Sequence, residues 1–131
     1  DITDEDTPLE AGLPFACAFD KPFIGRDALL ARREEVPTKR LVQFRLLDPE
    51  PLLFGDEPIV MDGARIGLLT SGSFGHTLGA AIGMGWVRHP DGVTPELLRS
   101  ARFEIESAGE RYPAEASLHA FYDPKGERLR V

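Results

Sequence analysis

The sequence has a single cysteine, Cys17. No disulfide can close within the chain, and a cysteine-rich zinc centre is excluded. Cys17 itself reads as a small buried apolar residue. Long hydrophobic runs are also missing; none approaches the ~18 residues needed to cross a bilayer. No secretory signal pattern stands at the front, so a cytoplasmic (bacterial) or mitochondrial-matrix setting is expected. Basic charge is the scarcer sign: 15 Lys and Arg against 22 Asp and Glu leave a net charge of −7. An acidic surface repels nucleic-acid phosphates and anionic lipids, so neither nucleic acid nor membrane is expected as a partner. The basic cluster Arg32, Arg33, Lys39 and Arg40 is too short to reverse that. Histidine is sparse too. His76, His89 and His119 do not fall at H-x-x-x-H spacing, and no metal centre is expected.

What is present suits one globular core. The chain has 131 residues, 42% apolar and 28% charged, which is ordinary for an ordered domain. "GRDALLARREEV" (25–36) is dense in helix formers, with Asp27 in the first turn and Pro37 as a stop. From Thr38 the period becomes two: Val42, Phe44 and Leu46 alternate with Gln43 and Arg45. Asp62-Gly63 between apolar runs signals a hairpin. "AAIGMGWVR" reads as a strand. Thr94 and Pro95 are suited to the N-cap and first position of a short helical turn in "TPELLRS". "ARFEIES" and "RYPAEASLHAFYD" supply further strands around the turn "AGE". Six or seven short strands after one helix predict an antiparallel β-barrel or sandwich.

"TSGSFGHTLGAAIGMG" (70–85) is rich in glycine and nearly free of charge. It fails as a phosphate loop. A Walker A loop ends in Gly-Lys-Ser/Thr, and no lysine lies between Lys39 and Lys125. A dinucleotide fingerprint opens a helix, whereas Gly83-Met84-Gly85 runs on into Trp86, Val87 and Arg88 at strand period. The expectation is a strand ending at "TSG", a turn through "SFGHT" carrying His76, and a second strand "LGAAIGMGWV". The glycines are expected at bends or positive φ. His76 lacks the orienting partner that catalysis requires and is read as structural. Ser71 and Ser73 do not form G-x-S-x-G, so there is no nucleophile elbow. The carboxylates sit in turns and on solvent faces. No catalytic residue is expected in this chain.

Three stretches go further. "TPLEAGLPFACAFDKPFIGRDAL" (7–29), "GDEPIVMDGARIGLLTSGSFGHTLGAAIGMGWV" (55–87) and "FYDPKGERLRV" (121–131) together resemble the C-terminal end of the glycine cleavage T-protein family. The likeness is to its flavin-linked branch, that of sarcosine and dimethylglycine dehydrogenases. The resemblance implies an all-β fold, an antiparallel Greek-key-like β-barrel preceded by one short helix. It implies that residues 1–24 are the tail of a folate-binding aminomethyltransferase domain and 25–131 the barrel region. It implies an N-demethylating parent enzyme that uses FAD and passes one-carbon units to tetrahydrofolate. The partners would be the upstream folate-binding and FAD domains of the same polypeptide. Catalytic and flavin motifs would lie upstream, leaving this segment inactive alone. Phe15, after "EAGL", corresponds to an aromatic that walls the family's folate pocket. A basic residue commonly follows an aromatic pair near the family's C terminus. Here Phe121-Tyr122 is followed by Asp123, a departure that leaves Arg128 or Arg130 as the candidates. Other readings are a T-protein aminomethyltransferase, or a stand-alone barrel used in binding or assembly.

Overall fold

A computed structural model describes residues 1–130. Its backbone forms a closed six-stranded antiparallel barrel, with strands β1 (Lys39–Leu46), β2 (Pro58–Met61), β3 (Ala64–Gly75), β4 (Ala80–Arg88), β5 (Phe103–Ser107) and β6 (Glu110–Ser117). Around the barrel the order is β1-β4-β3-β2-β5-β6, with β6 returning to β1. β2, β3 and β4 form a meander. β1 lies beside β4 and β5 beside β2, so the Greek-key arrangement occurs twice, in overlap. Closure gives every strand two neighbours.

Alternation sorts the strands into an inside and an outside. Val42, Phe44 and Leu46 of β1 are fully covered, as are Ala81 and Val87 of β4 and Ile105 of β5. Phe44 and Phe103 meet across the interior at 5.7 Å, tilted by 58°, a favourable geometry for aromatic pairs. The long β1–β2 connection dips inward at Leu53, which plugs the barrel at 2% exposure.

Several connections follow the sequence expectation. Asp62 and Gly63 have φ of 49° and 87°, the left-handed pair a tight hairpin needs. α2 (Pro95–Ser100) begins with Thr94, whose hydroxyl accepts from the Leu97 amide at 3.1 Å. Cys17 is partly covered rather than buried. Two expectations about the elements also need correction. The helix read over 25–36 is shorter: α1 covers Arg26–Arg32. Beyond it, Arg33 and Glu35 donate only three residues back, to Leu30 and Arg32. No residue of α1 is buried, and Pro37 disfavours helix just before itself, so nothing sustains another α-turn.

The second correction concerns 70–85. β3 does not stop at "TSG" but runs to Gly75, and the turn is His76–Gly79. Of the glycines there, only Gly79 has positive φ, at +68°. The rest are needed for close approach. A Cβ on Gly72 would lie 2.6 Å from the Leu53 carbonyl carbon, and one on Gly85 2.5 Å from Ile59 Cδ1. These glycines make room for the plug and the core. His76 sits in the turn as expected, edge-on to Phe74 at 5.3 Å.

Candidate functional site

The residues before α1 are held to the barrel by a strap. Asp6 pairs with Lys39 at the start of β1, and the Asp6 side chain is only 4% exposed. The Lys39 ammonium also lies 4.4 Å from the centre of the Trp86 ring on β4, within cation–π range. The Trp86 indole N–H donates to the Asp1 carbonyl at 3.0 Å. β6 pairs with β1 only from Gln43 onward. At Leu41 its place is taken by the Glu10 carbonyl, which accepts the Leu41 amide at 3.0 Å. Thr7 and Glu10 tie the strap internally: the Glu10 carboxylate accepts the Thr7 amide at 2.9 Å and its hydroxyl at 2.7 Å. The Lys39 ammonium, first, and the Thr3 amide hold the Asp6 carboxyl down at about 2.

Past the strap the chain presents apolar side chains to solvent. Phe15, in the short 3-10 turn Pro14–Ala16, is 83% exposed. Ile24 is fully exposed, and Leu13 and Phe23 partly so. Phe19 is steadied by Arg33 over its ring at 4.9 Å. At the other end, Asp123 accepts the Glu127 and Arg128 amides at 2.9 and 3.1 Å. That cap accounts for the aspartate where the family pattern leads one to expect a base. The Arg128 guanidinium lies 5.6 Å from the Tyr122 ring centre, and Arg130 is exposed. Among the described residues, no hydrogen bond, ion pair or ring contact joins Phe15 to either arginine. The three are absent from the linings of the grooves beside the strap, beside α1 and on the β1–β4–β3 wall. Among the described residues, these three side chains are not gathered into one cradle.

The glycine-rich stretch is not an anion cradle, because Gly72 to Gly75 are paired in register with Gly83 to Ala80. Instead it helps build a shallow groove of about 230 Å³ on the outside of β1, β4 and β3. Gln43, Ser71, Ser73, Ile82 and Met84 line it, with Gly83 beneath. The sequence held a signal for this wall: between Arg65 and Arg88 there is no Asp, Glu, Lys or Arg. The strap had no such signal, because its key pair is 33 residues apart. Among the described residues there is no group of three His, Cys, Asp or Glu able to hold a metal. None of the described helices is long and apolar enough to cross a membrane.

A small closed Greek-key barrel, strapped by the segment before it, defines the class of domain. The comparisons identify which one. Residues 39–123 match the model of the glycine cleavage T-protein C-terminal barrel domain, and the chain belongs to that family. It is 44% identical, over 99% of its length, to a 4-methylaminobutanoate oxidase (formaldehyde-forming) of Paenarthrobacter nicotinovorans, of which it spans 15%. It is 34% identical to the mitochondrial sarcosine dehydrogenase of Homo sapiens over 99% of its length, spanning 14% of that protein. It is 37% identical, over 93% of its length, to a probable aminomethyltransferase of Pyrococcus horikoshii, spanning 29% of it. The fold matches the crystal structure of the glycine cleavage system aminomethyltransferase T from Bartonella henselae. The TM-score is 0.68 at 24% identity, covering 92% of this chain and 33% of that one. The chain is thus a domain-sized part of the lengths its relatives reach.

Proposed function

We propose that this chain is the C-terminal barrel region of a folate-dependent, FAD-linked N-demethylating oxidoreductase that passes one-carbon units to tetrahydrofolate. The substrate class is an N-methylamino acid. The observation that carries this reading is the 44% identity across nearly the whole chain to an oxidase of 4-methylaminobutanoate. Sarcosine, named for the human relative, shares its chemistry: a methylated secondary amine on a carboxylic acid. Residues 1–24 are read as the tail of the folate-binding domain and 25–131 as the barrel region. Phe15 is offered to the folate cleft from its exposed position. Arg128 and Arg130 are the basic residues for a folate carboxylate, whose two oxygens a guanidinium fork matches. The chain alone turns over no substrate, because the barrel's role is to complete the cleft from outside. The parent enzyme works in a bacterial cytoplasm or a mitochondrial matrix.

The test is spectral. The full-length polypeptide should carry a yellow flavin that bleaches anaerobically on addition of sarcosine or 4-methylaminobutanoate. Tetrahydrofolate should divert the product from free formaldehyde. A full-length polypeptide without flavin overturns the reading. The second reading, an aminomethyltransferase, is favoured by the 37% identity to the Pyrococcus protein. It would show itself as aminomethyl transfer from a lipoyl carrier with no flavin present.

A further inference from the structure

We infer that the outer wall formed by β1, β4 and β3 is the face covered by the part of the polypeptide that precedes Asp1. This rests on the reading of the chain as the C-terminal region of a longer enzyme, and it adds which side of the barrel is engaged.

The wall is built in rows by strand register. Gln43, Met84 and Ser71 stand side by side, as do Arg45, Ile82 and Ser73. The one ionised side chain in these rows is already committed. Arg45 donates to Glu115 at 2.6 Å and lies 5.5 Å from the Phe121 ring centre, on the β6 side. What remains is hydroxyl, amide, thioether and aliphatic surface, in a chain that is 28% charged. A surface without charge in such a chain is the composition of an interface core. The surface continues past the groove. Leu68, on the outward side of β3, is 52% exposed.

The strap indicates the occupant. The Asp1 carbonyl is fixed on Trp86, which follows Ile82 and Met84 along the same outward face of β4. Residues joined to Asp1 therefore start on this wall. The relatives supply a long polypeptide to do the covering, since the chain spans only 14% to 29% of their lengths.

Cysteines introduced one at a time into the full-length polypeptide, in a background where Cys17 and every other cysteine are replaced by serine, test the assignment. Ser73→Cys probes the wall and Arg111→Cys probes the opposite side. Both positions are exposed in this structure. With a maleimide under native conditions, Ser73→Cys should react at least about tenfold more slowly than Arg111→Cys, since access then requires local opening. In denaturant the two should react alike. Equal native rates overturn the inference. Protection that vanishes on dilution belongs to a second copy of the protein and overturns it too. Labelling is read without substrate, so the outcomes separate. A polypeptide that protects Ser73→Cys yet lacks flavin removes the functional reading alone. An active flavoenzyme that leaves it exposed removes this one alone.

Discussion

The barrel has two outer walls that share one core and differ in almost everything else. On β5 and β6 the outward positions carry Glu104, Glu106, Arg111 and Glu115. Glu106 binds Arg65 at 2.5 Å and lies 3.6 Å from Arg111, while Glu104 takes Arg102 at 3.3 Å. This wall satisfies its own charges: Glu104 and Glu106 are largely covered, and their arginine partners stay exposed. On β1, β4 and β3 the outward side chains are Gln43, Ser71, Ser73, Ile82 and Met84, with nothing ionised in the groove between them. Both walls obey the same alternation, so the inward residues alone would not tell them apart. The outward residues do: one wall is finished as protein surface and the other as contact surface.

The interior should respond as one body whichever wall is struck. Phe44 on β1 and Phe103 on β5 join the two sides, and both are buried. Phe44→Ala should cost about 3–5 kcal/mol, the range for truncating a core aromatic. Urea denaturation should show one cooperative transition at a much lower midpoint; two separate transitions would mean the walls fold independently. Gly72→Ala should come next, at about 1–3 kcal/mol. Its new methyl would meet the Leu53 backbone rather than a movable side chain. A charged-wall position such as Glu115→Ala should be much milder, so equal effects would show that the plug relaxes freely.

The elements that hold this core were legible because their signals are local. Alternation of Val42, Phe44 and Leu46, the Asp62-Gly63 turn and the Thr94 cap each lie within a few residues. The glycines of 70–85 were legible as sheet glycines, but not for the right reason. Their constraint is steric and comes from Leu53 and Ile59, which no local pattern reveals. The same holds for the strap, where Asp6 finds Lys39 only through the closed fold. Phe15, Arg128 and Arg130 carry a family likeness, yet within this chain they are not brought together.

The strap is the next place to sharpen the contrast, because it anchors the uncharged wall through a charge. Trp86 is the sole tryptophan, so its fluorescence reports on the strap directly. Asp6→Asn leaves Lys39 without its carboxylate and should shift Trp86 emission to the red and raise its quenching by acrylamide. Thermal unfolding should change little. Unchanged emission would mean that the strap is held without the pair. The pH sign follows from the lowered carboxyl. Asp6 supports folding above the ordinary carboxylate pKa of 3.8, and that support is lost as pH falls through about 2.

The smallest effect is expected on the charged wall itself. Arg65, first through its hydrogen bond, and then Arg111 hold the Glu106 carboxyl below its ordinary value. The stabilisation is therefore present above the unfolded-state pKa and fades as acid protonates Glu106 in the fold. Exposed pairs of this kind contribute little, because solvent screens them and long side chains lose freedom in making them. Glu106→Gln should thus lower the urea midpoint only slightly at neutral pH, and the difference from the parent should shrink on adding salt. It should leave Ser73→Cys as protected in the full-length polypeptide as before. A loss of that protection would mean that the two walls are coupled through the barrel, and that the charged wall does more than remain soluble.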